Sequence, residues 1–199
     1  MNKTKVGIVD YGLAGNIHSV INVIKSADGV PEIVTRNKDF SKYKKIIIPG
    51  VGTFKDGIGE LQKNKFVEEI KNYPGHILGI CLGMQLLAKK GFEYGENEGL
   101  SLIDAEVKLI KCEDRVPHMG FSKIKILKDC KLLEGIEDEE FYFMHSYEFV
   151  NYTDVIALSN YGNHSFVSVV EKDNVFGVQF HPEKSRKAGI KLIKNFINL

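Results

Sequence analysis

The stretch Ile77-Leu-Gly-Ile-Cys81-Leu-Gly-Met-Gln85-Leu-Leu runs from an apolar segment straight into a helix-like one across Gly-Ile-Cys-Leu-Gly. Strand, sharp turn and helix in that order are the pattern of a nucleophile elbow, with Cys81 at its tip. Gly79 and Gly83 flank the cysteine at i−2 and i+2, where missing side chains relieve crowding between strand and helix. The turn is strained, which holds the thiol proud of the sheet edge. The competing reading is a buried core cysteine beside two packing glycines. An elbow nucleophile needs a base, an oxyanion site and a substrate from the rest of the chain.

Outward from the elbow, apolar strands alternate with helices. Val6-Gly-Ile-Val-Asp10 reads as a buried strand, followed by the loop Tyr11–Asn16 and a helix to about Asp28, which Gly29 stops. Strands follow at Pro31–Thr35 and Lys45–Pro49, and a helix from about Thr53 to Asn72 leads to Pro74-Gly75 and the central strand. This half predicts a mainly parallel sheet with helices on both faces. Beyond Gly91–Gly99, which reads as the loosest segment, strand-like runs dominate: 104–110, 122–127, 141–150, 155–159, 166–171 and 175–180. Turns such as Asn160-Tyr-Gly-Asn163 between them predict additional antiparallel strands in the C-terminal half. A last helix spans about Arg186 to Leu199. The expected fold class is α/β, as a single domain over residues 1–199, a length one core can serve.

Composition narrows the function classes. A net charge of +1 gives no general pull toward nucleic acid or an anionic membrane, and no apolar run approaches the roughly 20 residues of a spanning helix. Three cysteines (Cys81, Cys112, Cys130) without paired spacing suit free thiols in a reducing cytoplasm. No Cys/His cluster has zinc-site spacing and no phosphate-binding glycine motif is present, so no metal and no cofactor are expected.

His181-Pro182-Glu183 follows the apolar run Val175–Phe180. On a strand, residues i and i+2 share a side, so Glu183 can orient His181 while the imidazole handles a proton. Such a base corrects the weakness of a thiol with a pKa of about 8.5, only a few per cent ionised at neutral pH. The backbone N–H of Leu82 supplies half of an oxyanion hole. The loop Gly50-Val51-Gly52 after the third strand is the candidate for the second donor, through Val51 or Gly52; an ordinary strand-to-helix turn is its other reading. Read from residues alone, the chemistry is acyl transfer through a thioester.

Gly79-Ile-Cys81-Leu-Gly83-Met-Gln85, Pro49-Gly-Val-Gly52 and Phe180-His-Pro-Glu183 together resemble the class I (triad) glutamine amidotransferases. Four further stretches are similar to one branch of that family, the glutaminase subunits of imidazole glycerol phosphate synthase. These are Asp10-Tyr-Gly-Leu-Ala-Gly-Asn16, Val116-Pro-His-Met-Gly120, Tyr142-Phe-Met-His-Ser-Tyr147 and Gly177–Ser185, and the match spans nearly the whole chain. The resemblance implies that Cys81 attacks the side-chain amide of L-glutamine, that His181 protonates the departing ammonia and that Glu183 orients His181. It places Gly50, Gln85, His145, Ser146 and Tyr147 at the glutamine site, the last two through backbone groups. It also implies a heterodimer with a (β/α)8 synthase subunit that takes the ammonia and makes imidazole glycerol phosphate and AICAR in histidine biosynthesis. Asn16, Ser19, His118 and Met119 would face that partner. Similar subunits are nearly silent alone, which a donor in Gly50–Gly52 pointing away from the oxyanion would explain. Two departures stand on the expected partner side. Phe121-Ser122 replaces the usual Trp-Asn, and Ser101 stands where glycine is common. They keep open a paralogous partner, a sugar-amidating synthase, as the acceptor of the ammonia. A scaffold subunit without activity is the alternative of another class.

Overall fold

A computed structural model of the chain describes residues 3–13, 15 and 17–199. The first half runs β1 (Lys5–Val9), α1 (Ile17–Ser26), β2 (Val30–Val34), β3 (Lys45–Ile48), α2 (Phe54–Lys63), α3 (Val67–Lys71), β4 (His76–Ile80) and α4 (Leu82–Leu86). The second half runs β5 (Lys90–Gly91), β6 (Asn97–Glu98), β7 (Glu106–Leu109), β8 (His118–Ile126), β9 (Glu140–His145), β10 (Tyr147–Val150), β11 (Val155–Tyr161), β12 (His164–Lys172), β13 (Val175–Val178) and α5 (Arg186–Asn198).

Nine strands form one sheet in the order β2-β1-β3-β4-β13-β12-β11-β8-β9. Its first five members pair in parallel and the rest antiparallel. The parallel strands explain their own composition. Every residue of β3 is buried, as are Ile77–Ile80 of β4, because helices cover both faces and leave no side for polar residues. Val20, Ile24, Leu192 and Phe196 of α1 and α5 pack on one face. Phe54, Leu61 and Leu86 of α2 and α4 pack on the other, where a second sheet, β10-β7-β5-β6, adds Val107 and Phe149.

Register places the chemistry. β4 and β13 are adjacent and parallel, with Ile80 opposite Val178, so Cys81 and the chain toward His181 leave the sheet at the same edge. The carboxyl ends of parallel strands are where open α/β sheets bind ligands.

Three expectations about elements need correction. The helix expected over 53–72 is two, broken at Lys65 (φ 59°), where the Phe66 N–H closes on the Leu61 carbonyl at 2.9 Å and the Phe66 ring is fully buried. The strand expected over 141–150 is also two, parted at Ser146. β9 belongs to the large sheet and β10 to the small one. The loose segment Gly91–Gly99 contains the small antiparallel pair β5–β6.

Candidate active site

Cys81 sits between β4 and α4 with φ 53° and ψ −110°, outside the regions a side chain adopts without strain. The surroundings hold it there. Its N–H donates to the Val178 carbonyl at 2.8 Å, and its own carbonyl accepts from the Gln85 N–H at 3.1 Å, the first turn of α4. Strand and helix then cross with no room for side chains. A Cβ on Gly79 would lie 2.7 Å from the Gly83 carbonyl oxygen, and one on Gly83 would overlap the carbonyl oxygen of Ile48.

His181 does not lie on a strand. β13 ends at Val178, and Pro182–Lys184 form a 3-10 turn, so it is the turn rather than the strand period that brings Glu183 back. The Nδ1–H donates to Glu183 Oε1 at 2.8 Å. The backbone is pinned on both sides. The His181 N–H donates to the Tyr142 carbonyl at 2.8 Å, and the Ser185 hydroxyl donates to the His181 carbonyl at 2.6 Å. Burial by itself would make His181 lose its proton. The Cys81 sulfur and the Glu183 carboxylate outweigh that and hold the imidazolium up to about 10. Nε2 is buried without another partner, which leaves it to the sulfur and to whatever reacts there.

Cys81 opens onto a cleft of about 240 Å³. Val51, Gly52 and Leu82 form one wall; Gln85, Glu93, Pro117, Met144, His145, Ser146 and Tyr147 form the rest. A larger hollow of about 370 Å³ shares none of these residues; its cysteine, Cys130, is pushed by burial up to about 12 and stays a thiol. It is not a reactive centre.

The cleft gathers most of the residues picked from the sequence and redefines several. Gln85 is buried, not a solvated helix residue. Its Nε2 donates to the Tyr147 carbonyl (3.1 Å) and to Gln179 Oε1 (3.0 Å), so Oε1 is the atom it can offer a ligand. His145 borders the cleft with both ring nitrogens already spent, Nδ1 on the Tyr147 carbonyl at 2.9 Å and Nε2 on His118 at 3.3 Å, so it offers glutamine no polar atom. Gly50 lies beneath the elbow rather than in the cleft; a Cβ there would run into the Tyr11 hydroxyl and the Leu82 Cβ. The Val51 N–H is not an oxyanion donor in this structure, because it donates to the Leu13 carbonyl at 3.0 Å. His118 is 2% exposed and cannot be a contact for a partner, whereas Met119 next to it is 58% exposed. Ser19 is half-buried on α1, and Asn16 lies outside the described residues.

Two site residues escaped the sequence reading. Gln179 is fully buried and turns its Nε2 toward Cys81 Sγ at 3.7 Å; its signal was the position two residues before His181. Glu93 is the carboxylate of the cleft, fixed where Oε2 accepts the Phe54 N–H at 2.8 Å, and it sits in the segment that reads as loose loop.

The family model for class-I glutamine amidotransferases matches residues 8–199. The chain is 41% identical to "Imidazole glycerol phosphate synthase subunit HisH 1" of Campylobacter jejuni strain RM1221, over 98% of this chain and all of that one. It is 42% identical to the HisH subunit of Methanocaldococcus jannaschii, covering 98% of this chain and 99% of the relative. Among solved structures, PurLQS from Thermotoga maritima superposes with a TM-score of 0.76 at 16% identity, covering 99% of each chain. A protein from Thermoplasma acidophilum described as a "putative gmp synthase subunit a protein" superposes at 0.75 and 22% identity, covering all of this chain and 94% of that one. These two likenesses speak to the fold.

Proposed function

The chain belongs to the class I glutamine amidotransferase family, and on that premise we propose that it is the glutaminase subunit of an imidazole glycerol phosphate synthase, acting in histidine biosynthesis. The observation that carries the reading is the strained elbow cysteine, backed by the buried His181–Glu183 pair and opening on a cleft of about 240 Å³ that Gln85 and Glu93 line. Glu93 and Gln85 Oε1 are both acceptors, suited to the α-ammonium group of glutamine, which leaves the side-chain amide toward Cys81.

The Cys81 thiolate attacks the side-chain amide carbon, and the oxyanion gathers against the Leu82 N–H. The protonated His181 gives its proton to the leaving nitrogen, ammonia departs, and a glutamyl thioester remains. His181, now neutral, takes a proton from a water that cleaves the thioester to glutamate. Glu183 holds the imidazole and its charge throughout. The second oxyanion donor requires the Gly50–Val51 peptide to turn away from Leu13, a change we assign to docking of the (β/α)8 partner that receives the ammonia. A preformed donor is worth on the order of 3 kcal/mol of barrier. The chain would therefore be a poor glutaminase alone.

Glutamate release measured with and without the cyclase of an imidazole glycerol phosphate synthase tests this. Release should appear with the cyclase and fall to background in Cys81→Ala. Activity surviving in Cys81→Ala would overturn the nucleophile; stimulation only by a sugar-amidating synthase would overturn the pathway.

A further inference from the structure

The two histidines that the cleft does not use form the middle of a longer chain of hydrogen bonds. His118 and His145 face each other across β8 and β9, cross-strand neighbours in register, 2% and 5% exposed. The Tyr147 carbonyl can only accept, so His145 must carry its proton on Nδ1, 2.9 Å away. Its Nε2 is then a bare lone pair, and His118 Nδ1 at 3.3 Å must carry a proton to meet it. That leaves His118 Nε2 bare, and the Ser122 hydroxyl at 3.1 Å must donate. One carbonyl thus dictates every proton as far as Ser122. A reversed tautomer at His118 would set two lone pairs against each other.

At its inner end the chain continues. The same Tyr147 carbonyl accepts from Gln85 Nε2, Gln85 donates to Gln179 Oε1, and Gln179 presents Nε2 to the Cys81 sulfur. The imidazoles cannot turn out of line. His118 is stacked on Phe143 at 5.1 Å and packed on Tyr161 at 4.3 Å, and His145 lies 4.8 Å from Phe166. Burial keeps both rings below the ordinary histidine range, His145 at about 3, so both are neutral and each has one donor and one acceptor. Two buried imidazoles in an aromatic pocket cost more to desolvate than two apolar side chains would. What they fix in return is a carbonyl at the cleft.

We propose that Ser122, His118 and His145 are positioning residues, a directional hydrogen-bond relay that holds the Tyr147 carbonyl, and through it Gln85, in place for glutamine. The proposal rests on the glutaminase reading above. It assigns a purpose to Ser122, the hydroxyl donor at the outer end of the chain.

Ser122→Thr and Ser122→Val separate this from packing. Both are β-branched, suit a strand and have nearly one shape, and only threonine can donate. The first readout is the ¹⁵N spectrum of the histidine rings in the full chain, which needs neither glutamine nor partner. His118 and His145 should both be Nδ1–H tautomers in the wild type and in Ser122→Thr, with His118 losing that pure state in Ser122→Val. The second is glutamate release with the synthase present. Ser122→Val should raise KM for glutamine about 3- to 10-fold, with kcat within about twofold, and Ser122→Thr should restore it. An Nε2–H tautomer at either wild-type histidine, or equal KM values for the two variants, would overturn the relay. If the wild type releases no glutamate with any synthase, the glutaminase reading fails and the relay loses its purpose, whereas activity with equal variants fells the relay alone.

Discussion

At the scale of single residues, the decisive feature is a histidine kept charged where burial would discharge it. His181 has a folded-state pKa of about 10, against roughly 6.5 for an unperturbed imidazole. A raised folded pKa gives stability that is fully present below about 6.5 and drains away as the pH rises through 10. Glu183→Gln keeps an oxygen that can accept from Nδ1 but removes the charge. The variant should therefore lose less stability than the wild type between pH 6.5 and 10, seen in urea unfolding across that range. Its kcat should fall about 100-fold or more, because the imidazole loses the carboxylate that orients it and helps the Cys81 sulfur hold its proton. A variant with the wild-type pH slope would show that Glu183 does not hold the charge. The His181–Glu183 pair was legible in the sequence because its members stand two residues apart, and the elbow because glycines flank Cys81 two residues to either side. Gln179 and Glu93 were less so. Their roles exist only after β13 lies beside β4 and the segment after α4 folds back on Phe54.

At the scale of elements, local pattern predicted strands and helices well and failed where the chain changes partner. Between α2 and α3 there is no proline or glycine to announce a break; the only local sign is the polar run Gln62–Lys65, which interrupts the apolar spacing after Leu61. The break serves Phe66, whose buried ring meets Phe40 edge-on at 5.4 Å, a contact 26 residues distant that no local window sees. Ser146 is the same case in a strand: residues on both sides are strand formers, and only the pairing of β9 with β8 and of β10 with β7 divides them. Glycines can be sorted on similar grounds. Gly59 is exposed in α2 with nothing within 4 Å of a Cβ, so Gly59→Ala should gain about 0.5–1 kcal/mol by reducing the freedom of the unfolded chain. Gly83→Ala would force a methyl onto the Ile48 carbonyl, a backbone atom that cannot swing aside, and should cost at least about 1–3 kcal/mol. Thermal melts of the pair decide this. A neutral Gly83→Ala would mean that β4 and α4 can part at their crossing without loss.

On the scale of the whole molecule, the cleft is where two sheets meet. The large sheet carries Cys81 at the end of β4 and reaches His145 at the end of β9, while the small sheet brings Tyr147 at the start of β10. The Glu93 loop, between β5 and β6, closes the remaining side and is tied to α2 through Phe54. A ligand bridging Glu93, Gln85 and the elbow therefore ties the Glu93 loop directly to α4 and the end of β4. Whatever binds the folded form alone stabilises it by RT ln(1 + [L]/Kd), about 2.7 kcal/mol at a hundredfold excess over Kd. For a chain of this size each kcal/mol moves the midpoint by roughly 2–4 °C. In Cys81→Ala, where turnover cannot consume the ligand, saturating L-glutamine should raise the melting midpoint by roughly 6–10 °C. Adding Glu93→Gln to that variant should remove most of the shift, because the amide cannot compensate the α-ammonium charge. A full shift retained without the Glu93 carboxylate would move the ammonium site elsewhere in the cleft, and no shift in Cys81→Ala itself would separate the cleft from glutamine altogether.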